Sequence, residues 1–448
     1  MEKTFFGHPR GLFTLFFTEM WERFSYYGMR ALLVLYMTEY LFQTTQVGQV
    51  WGYSAIRGFI ERLYGPLSSQ AFSSEIYGLY TAFVYLTPIF GGILADRYLG
   101  QRRSVYIGGI LMSIGHFLMA VESLFFPALL FLILGNGFFK PNISTQVGGL
   151  YKQGDSRRDG AFVIFYMGIN LGAFLSPLVC GTLGQKVGWH WGFGAAGIGM
   201  LLSVAIYHFG GKHLPLTEHP RAVKQIEKEA KQPLTQKEWG CVLALVVLCI
   251  INIFFWGVFE QQGNTFQLWA EQKTDWNFFG FMVPSTWYQP FNPLFIFLLG
   301  PVLPMFWAWQ NRRGKEPSTV TKMAMGCLLA CAALLVMYAA ARVVGPGQGS
   351  SLWLIMSTLV LTIGELYLSP TGLSLVTKVA PARIVSMMMG VWLLSSFFGN
   401  YLSGHIGMYY EIMAKENFFL LLSSLGLIAG IAFFLTRPFL RKLIGSEA

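Results

Sequence analysis

Charge is scarce in this chain. Only 12% of its 448 residues are Asp, Glu, Lys or Arg, while 54% are hydrophobic. A soluble domain carries about 25% charged residues, so this composition excludes an ordinary soluble protein and implies a polytopic helical membrane protein. Weak alternation along the apolar runs excludes a β-barrel. Cysteine is also sparse: Cys180, Cys241, Cys249, Cys327 and Cys331 all fall in apolar runs. With no Cys/His cluster at ligand spacing, they read as small core residues rather than disulfides or metal ligands. No nucleophile–base set or nucleotide loop supports an enzyme. No cleavable leader is expected either, because Met1 to Arg10 is polar and the first apolar run is long and charged.

The net charge of +10 could suggest a nucleic-acid partner, but its placement argues against one. Loops at 1–10, 96–104, 151–158, 211–238, 310–322, 378–383 and 437–448 hold 23 of the 32 Lys and Arg. The intervening loops hold six (Arg57, Arg62, Lys186, Lys273, Arg342 and Lys415), and Arg23, Arg30 and Lys140 fall inside apolar runs. Positive residues collect on the cytoplasmic side of membranes. Both termini are therefore expected in the cytoplasm, with an even number of spans.

Apolar runs near 11–42, 74–95, 103–126, 127–149, 159–184 and 190–210 make six spans. Runs near 239–270, 288–309, 320–342, 351–377, 383–408 and 416–436 make six more. The expectation is an all-α protein with 12 transmembrane helices. Residues 1–210 form one six-helix bundle, 211–238 a charged cytoplasmic linker and 239–448 a second bundle. Segment 43–73 reads as an extracellular extension with an amphipathic piece around Val50 to Tyr64. Sliding the chain by 229 residues lays LGNGFFKPNIS (134–144) on IGELYLSPTGL (363–373), aligning Gly135 with Gly364 and Pro141 with Pro370. Parallel repeats of this kind place a site between two halves.

The stretch GLFTLFFTEMWERFSYYGMRALLVLYMTEYLF (11–42) exceeds the roughly 20 residues that cross a bilayer, yet it buries Glu19, Glu22, Arg23 and Arg30. Helical spacing puts Glu19, Arg23, Tyr26, Tyr27 and Arg30 on one face, with Glu22 beside Glu19. A charge in mid-membrane costs several kcal/mol, so this stripe is read as lining a watery path. The series Glu19, Glu22, Arg23, Phe24, Tyr26, Tyr27, Gly28 resembles the first-helix signature of the proton-coupled oligopeptide transporters of the major facilitator superfamily. FVIFYMGINLGAF (162–174) is similar to that family's fifth-helix signature. GGILADRYLGQRR (91–103) resembles the superfamily's loop between helices 2 and 3. The resemblance implies a major facilitator fold of two six-helix bundles.

Three further ionisable residues stand alone in apolar runs: Lys140 in GNGFFKPNIS, Glu260 in FFWGVFEQQGNT and Glu365 in LVLTIGELYLSP. The repeat puts Glu365 one turn from the position equivalent to Lys140, so a pair across a central cavity is expected, as in the family. A gating salt bridge between Arg30 and Glu260 is implied in the same way. A peptide zwitterion suits this set. Its carboxylate would meet Arg23, Lys140 and Arg30 through charge-assisted hydrogen bonds. Its ammonium would meet Glu365, Asn170 and Asn292, and Tyr26, Tyr27, Tyr80, Trp287 and Trp392, with Ser396, would receive side chains. Proton coupling falls to Glu19, Glu22, Arg23, Lys140 and Glu365. Helix 2 lacks the histidine of some animal relatives, so histidine is left out.

The expected activity is proton-driven import of di- and tripeptides by alternating access, in a bacterial inner membrane. Protons are the coupling ion, and no cofactor, metal or nucleic acid is expected. The working unit is expected to be a monomer in lipid. A family member carrying nitrate or another small anion is the alternative, although Glu365 would repel an anion. A multidrug transporter is the other, although it would not need the paired cationic cluster.

Overall fold

The computed structural model describes residues 4–44, 47–152, 155, 157–214, 234–381 and 384–445. Residues 215–233 of the expected linker lie outside the described residues, as do 382–383 of the loop expected at 378–383.

Helices dominate: α1 Arg10–Leu35, α2 Tyr53–Tyr64, α3 Ser69–Leu94, α4 Gln101–Leu118, α5 Phe125–Gly149, α6 Arg157–Ser176, α7 Thr182–Lys186 and α8 Trp189–Gly210 come first. Then come α9 Gln236–Phe259, α10 Thr265–Lys273, α11 Phe291–Leu299, α12 Val302–Arg312, α13 Thr319–Val344, α14 Leu352–Val379, α15 Val385–Gly407 and α16 Lys415–Ile444. Helix starts follow local chemistry. The Ser68 hydroxyl accepts from the Ala71 N–H at α3, and Thr235 and Glu238 cap α9 reciprocally. Among the described residues, eight helical stretches are long and apolar enough to cross a membrane, and the stretch ending in α11 passes the same test together with α12, the two bent by 40°. The helices α1, α4 and α15 fall outside that set. For α1 the reason is plain, since four charges interrupt it.

The chain divides into two compact units, one of Met1–Ser73 with Phe83–Arg221, the other of Ser74–Ala82 with Ala222–Ala448. In the first, α1 packs on α6 and α8, and α4 on α5 and α8. In the second, α13 packs on α14 and α16, and α9 on α15 and α16.

Glycine sets the tightest approaches. A Cβ on Gly135 would sit 2.5 Å from Met112 Cγ and 2.8 Å from the Gly108 carbonyl. One on Gly364 would sit 2.7 Å from the Gly326 carbonyl. Gly135 and Gly364 are the pair aligned by the 229-residue repeat, so each unit builds its own helix crossing on the same repeated glycine. Small residues at crossings let helix backbones close where lipid supplies no hydrophobic drive.

The amphipathic piece of the 43–73 segment is α2, and Arg57 pins it. Its Nε donates to Glu61 Oε1 at 2.9 Å and its Nη2 to the Leu67 carbonyl at 2.7 Å. The Arg57 hydrogen bond holds the half-buried Glu61 carboxyl below its usual range.

Candidate functional site

On α1 the expected charge stripe is buried: Glu19, Glu22 and Arg23 are 2%, 0% and 3% exposed. One helical turn separates Glu19 from Arg23, and Glu22 precedes it directly, so a single guanidinium serves both carboxylates. Arg23 Nε lies 3.2 Å from Glu19 Oε1 and donates to Glu22 Oε2, while Nη2 donates to Glu22 Oε1 at 2.7 Å. Arg23 thus holds Glu22 two-pronged, the geometry in which guanidinium and carboxylate bind most strongly.

Asn136 on α5 completes the arrangement. Its Oδ1 accepts from Arg23 Nη2 at 3.4 Å, and its Nδ2 donates to the Val84 carbonyl of α3 at 2.9 Å. The amide therefore ties the α1 cation to two other helices. Glu19 Oε2 is buried with no hydrogen-bond partner among the described residues. Such a carboxylate oxygen is poorly compensated as an anion. The Arg23 guanidinium also lies 5.1 Å from the Tyr26 ring, and Lys140 Nζ lies 4.7 Å from the Tyr85 ring. Lys140 is close enough to act electrostatically on Glu19. The first unit so brings Glu19, Glu22, Arg23, Tyr26 and Lys140 into one electrostatic neighbourhood.

The backbone around this cluster is close-packed. A Cβ on Gly172 would lie 2.2 Å from the Met20 carbonyl and 3.0 Å from Arg23 Cβ. The fifth-helix glycine is what lets α6 lie against α1 at the level of the charges. Asn170, two residues earlier, is buried and donates Nδ2 to its own helix, to the Tyr166 carbonyl at 3.0 Å. Tyr27 and Arg30 are half-buried further along α1.

In the second unit Asn292 and Glu365 meet directly. Asn292 Nδ2 donates to Glu365 Oε2 at 3.0 Å and to Thr362 Oγ1 at 3.0 Å. Both residues are expected on one peptide ammonium, and the bond between them comes from the fold. Glu260 is buried where α9 breaks into a short 3-10 turn, Glu260–Gly263, and acts electrostatically on Glu365. This unit hence presents two carboxylates close enough to influence each other, one of them held by an amide. Trp392 and Ser396 are buried on α15, and Gly372 on α14 packs directly on the Trp392 ring. Trp287 is 39% exposed, and Tyr80 is buried in the part of α3 that belongs to the second unit. The expected pairs Lys140–Glu365 and Arg30–Glu260 each take one member from either unit.

Three contributors escaped sequence reasoning. Asn136 lies four residues before Lys140, inside the repeated segment, where nothing in the sequence separates it from Asn142. Thr362 and Tyr85 carry no sequence signal that separates them from other span residues.

Apolar spans with carboxylates, a guanidinium and an ammonium buried among them define a polytopic helical membrane transporter. Its architecture is the major facilitator fold. The model of the POT family matches residues 102–235 and 216–419. The chain is 38% identical, over 90% of its length and 88% of the relative's, to the peptide transporter YePEPT of Yersinia enterocolitica. It is 34% identical to a di-/tripeptide transporter of Lactococcus lactis, covering 99% and 98% of the two chains. A crystal structure of a peptide transporter POT in complex with sulfate superposes with a TM-score of 0.85 at 32% identity, covering 99% of this chain and 97% of that one. The chain belongs to the POT family, and it is a transporter rather than an enzyme.

Proposed function

We propose that this protein imports di- and tripeptides, driven by protons, by alternating access through a cavity between its two bundles. The observation that carries the reading is the buried Glu19–Glu22–Arg23 cluster, in which two carboxylates occupy a cation suited to a peptide carboxylate. The relatives named as peptide and di-/tripeptide transporters support the cargo.

Coupling follows from competition for Arg23. While Glu22 is ionised, its two oxygens fill the guanidinium fork. A proton on Glu22 removes that charge, and Arg23 becomes available to the carboxylate of a peptide. The uncompensated Oε2 of Glu19 offers a second place for the proton. Lys140 adds positive charge for the same carboxylate. Glu365, presented by Asn292, takes the peptide ammonium, and the broad apolar and aromatic surroundings accept variable side chains. In this scheme Lys140–Glu365 and Arg30–Glu260 are the ion pairs that form and break between the bundles as access alternates. The protein works as a monomer with twelve spans, both termini in the cytoplasm, in a bacterial inner membrane. It needs no cofactor beyond the proton.

Uptake of labelled dialanine into proteoliposomes with an alkaline interior tests the reading. Accumulation above the external concentration, collapsing when the pH gradient is dissipated, is the expected result. Uptake that stops at equilibration whatever the gradient overturns it.

A further inference from the structure

Between α10 and the 3-10 turn Ser285–Tyr288 the chain makes a small hairpin, with Asn277–Phe278 paired antiparallel to Phe281–Met282. Its base is fixed to the second unit. Thr274–Asp275 pairs with Gly349–Ser350, Lys273 Nζ donates to the carbonyls of Gly345 and Pro346 at 3.2 and 3.0 Å, and the buried Trp276 donates Nε1 to the Ala270 carbonyl at 2.7 Å. The Val283 N–H returns to the Trp276 carbonyl at 3.0 Å, and Asn277 Oδ1 caps the turn by accepting from the Gly280 N–H at 2.9 Å. The hairpin is therefore held in shape by its own hydrogen bonds.

Its tip has the wrong chemistry for water. Phe279 is fully exposed, Phe281 is 77% exposed, and Met282 and Phe278 are also exposed. No residue from Trp276 to Pro284 is charged. Phe279 has φ +52° and Gly280 φ +87°. Tight hairpin turns with both central residues at positive φ favour Asn-Gly or Asp-Gly, and a bulky L-residue there is strained. Neither turn geometry nor core packing selects a phenylalanine at 279. An apolar surrounding does.

The hairpin's position indicates which surrounding. Its base pairs with the loop after α13, and that loop lies between the exposed Val343 and Leu352, at the ends of two spans. The exposed Arg342 stands at the same level. The α13 helix begins just after the basic loop at 310–318, so the hairpin sits at the opposite end of the unit. Aromatic side chains beside cationic ones at the end of an apolar belt are the pattern of a membrane interface. We propose that this hairpin is a lipid anchor whose tip, Phe278, Phe279, Phe281 and Met282, dips into the bilayer leaflet at that end of the second unit. It steadies the bent helix pair that follows, α11 and α12, against the membrane.

Nitroxide labels at Phe279→Cys and, separately, Phe281→Cys test this, in full-length protein whose native cysteines are replaced by alanine or serine. Each variant is first required to elute as a monodisperse species, then reconstituted in vesicles of phosphatidylethanolamine and phosphatidylglycerol. Oxygen, which concentrates in lipid, should collide with both labels several-fold more than a water-bound nickel chelate does. A label at Lys315→Cys, on the exposed basic loop, should show the reverse. If the nickel chelate reaches positions 279 and 281 as readily as 315, the tip is aqueous and the proposal is wrong. It is equally wrong if neither reagent reaches them, since the tip would then be covered by protein, a second copy of the chain included.

Discussion

Arg23 is the residue on which the coupling scheme turns, because one guanidinium cannot hold two internal carboxylates and a substrate carboxylate at full strength. Glu22→Gln keeps the shape of its side chain but removes the titration. The variant should retain exchange of labelled peptide between preloaded pools and lose gradient-driven accumulation in proteoliposomes. Full accumulation by Glu22→Gln would remove Glu22 from the proton path. Asn136 has a smaller part, since its contact with Arg23 is long at 3.4 Å. Hydrogen bonds to charged groups contribute about 1.5–3 kcal/mol at good geometry, and the weak end of that range is expected here. Asn136→Ala should therefore raise the apparent KM for dialanine by about 10-fold while leaving the maximal rate within about twofold. A collapse of the maximal rate with KM unchanged would mean that Asn136 serves turnover and not the presentation of Arg23.

At the scale of the element, the crossing of α1 and α6 is the most exacting contact near the charges. Any side chain at Gly172 collides with backbone, which cannot swing aside as a flexible side chain would. Overpacking typically costs about 1–3 kcal/mol, and here it would also push α1 and its charges out of register. Gly172→Leu should lower the melting midpoint of the purified protein by several degrees and impair transport beyond what its residual folded fraction accounts for. Gly160→Ala, where the nearest atom to an added Cβ is 3.9 Å away, serves as the control and should melt as the parent does. The same logic applies to Gly135 and Gly364, the repeat-aligned glycines. The α9 break at Glu260 is a second element-scale feature, because it sets a buried carboxylate at a helix end instead of in a helix interior.

For the whole molecule, the test is whether charges from the two units cooperate. Lys140→Ala and Glu365→Ala should each disable proton-driven uptake while leaving a folded protein. Lys140→Glu and Glu365→Lys should each do the same, and the double swap should recover part of the uptake if the two side chains pair during the cycle. A double swap no better than either single would show that the residues act separately, Lys140 on the peptide carboxylate and Glu365 on its ammonium.

Spans, the buried stripe on α1 and the family could be read from residues in order, because hydropathy, helical spacing and a long motif are local properties of the chain. Lys140, Glu260 and Glu365 were legible for the same reason: a lone charge in an apolar run needs no coordinates to be noticed. Tertiary structure alone decided how those charges are shared. Asn136 on Arg23, Asn292 on Glu365, Tyr85 beneath Lys140 and the carboxylate oxygen left unmatched on Glu19 all depend on residues far apart in sequence. Burial makes such bonds matter, since polar groups withdrawn from water must find partners wherever packing brings them, and packing is settled by which helix faces meet.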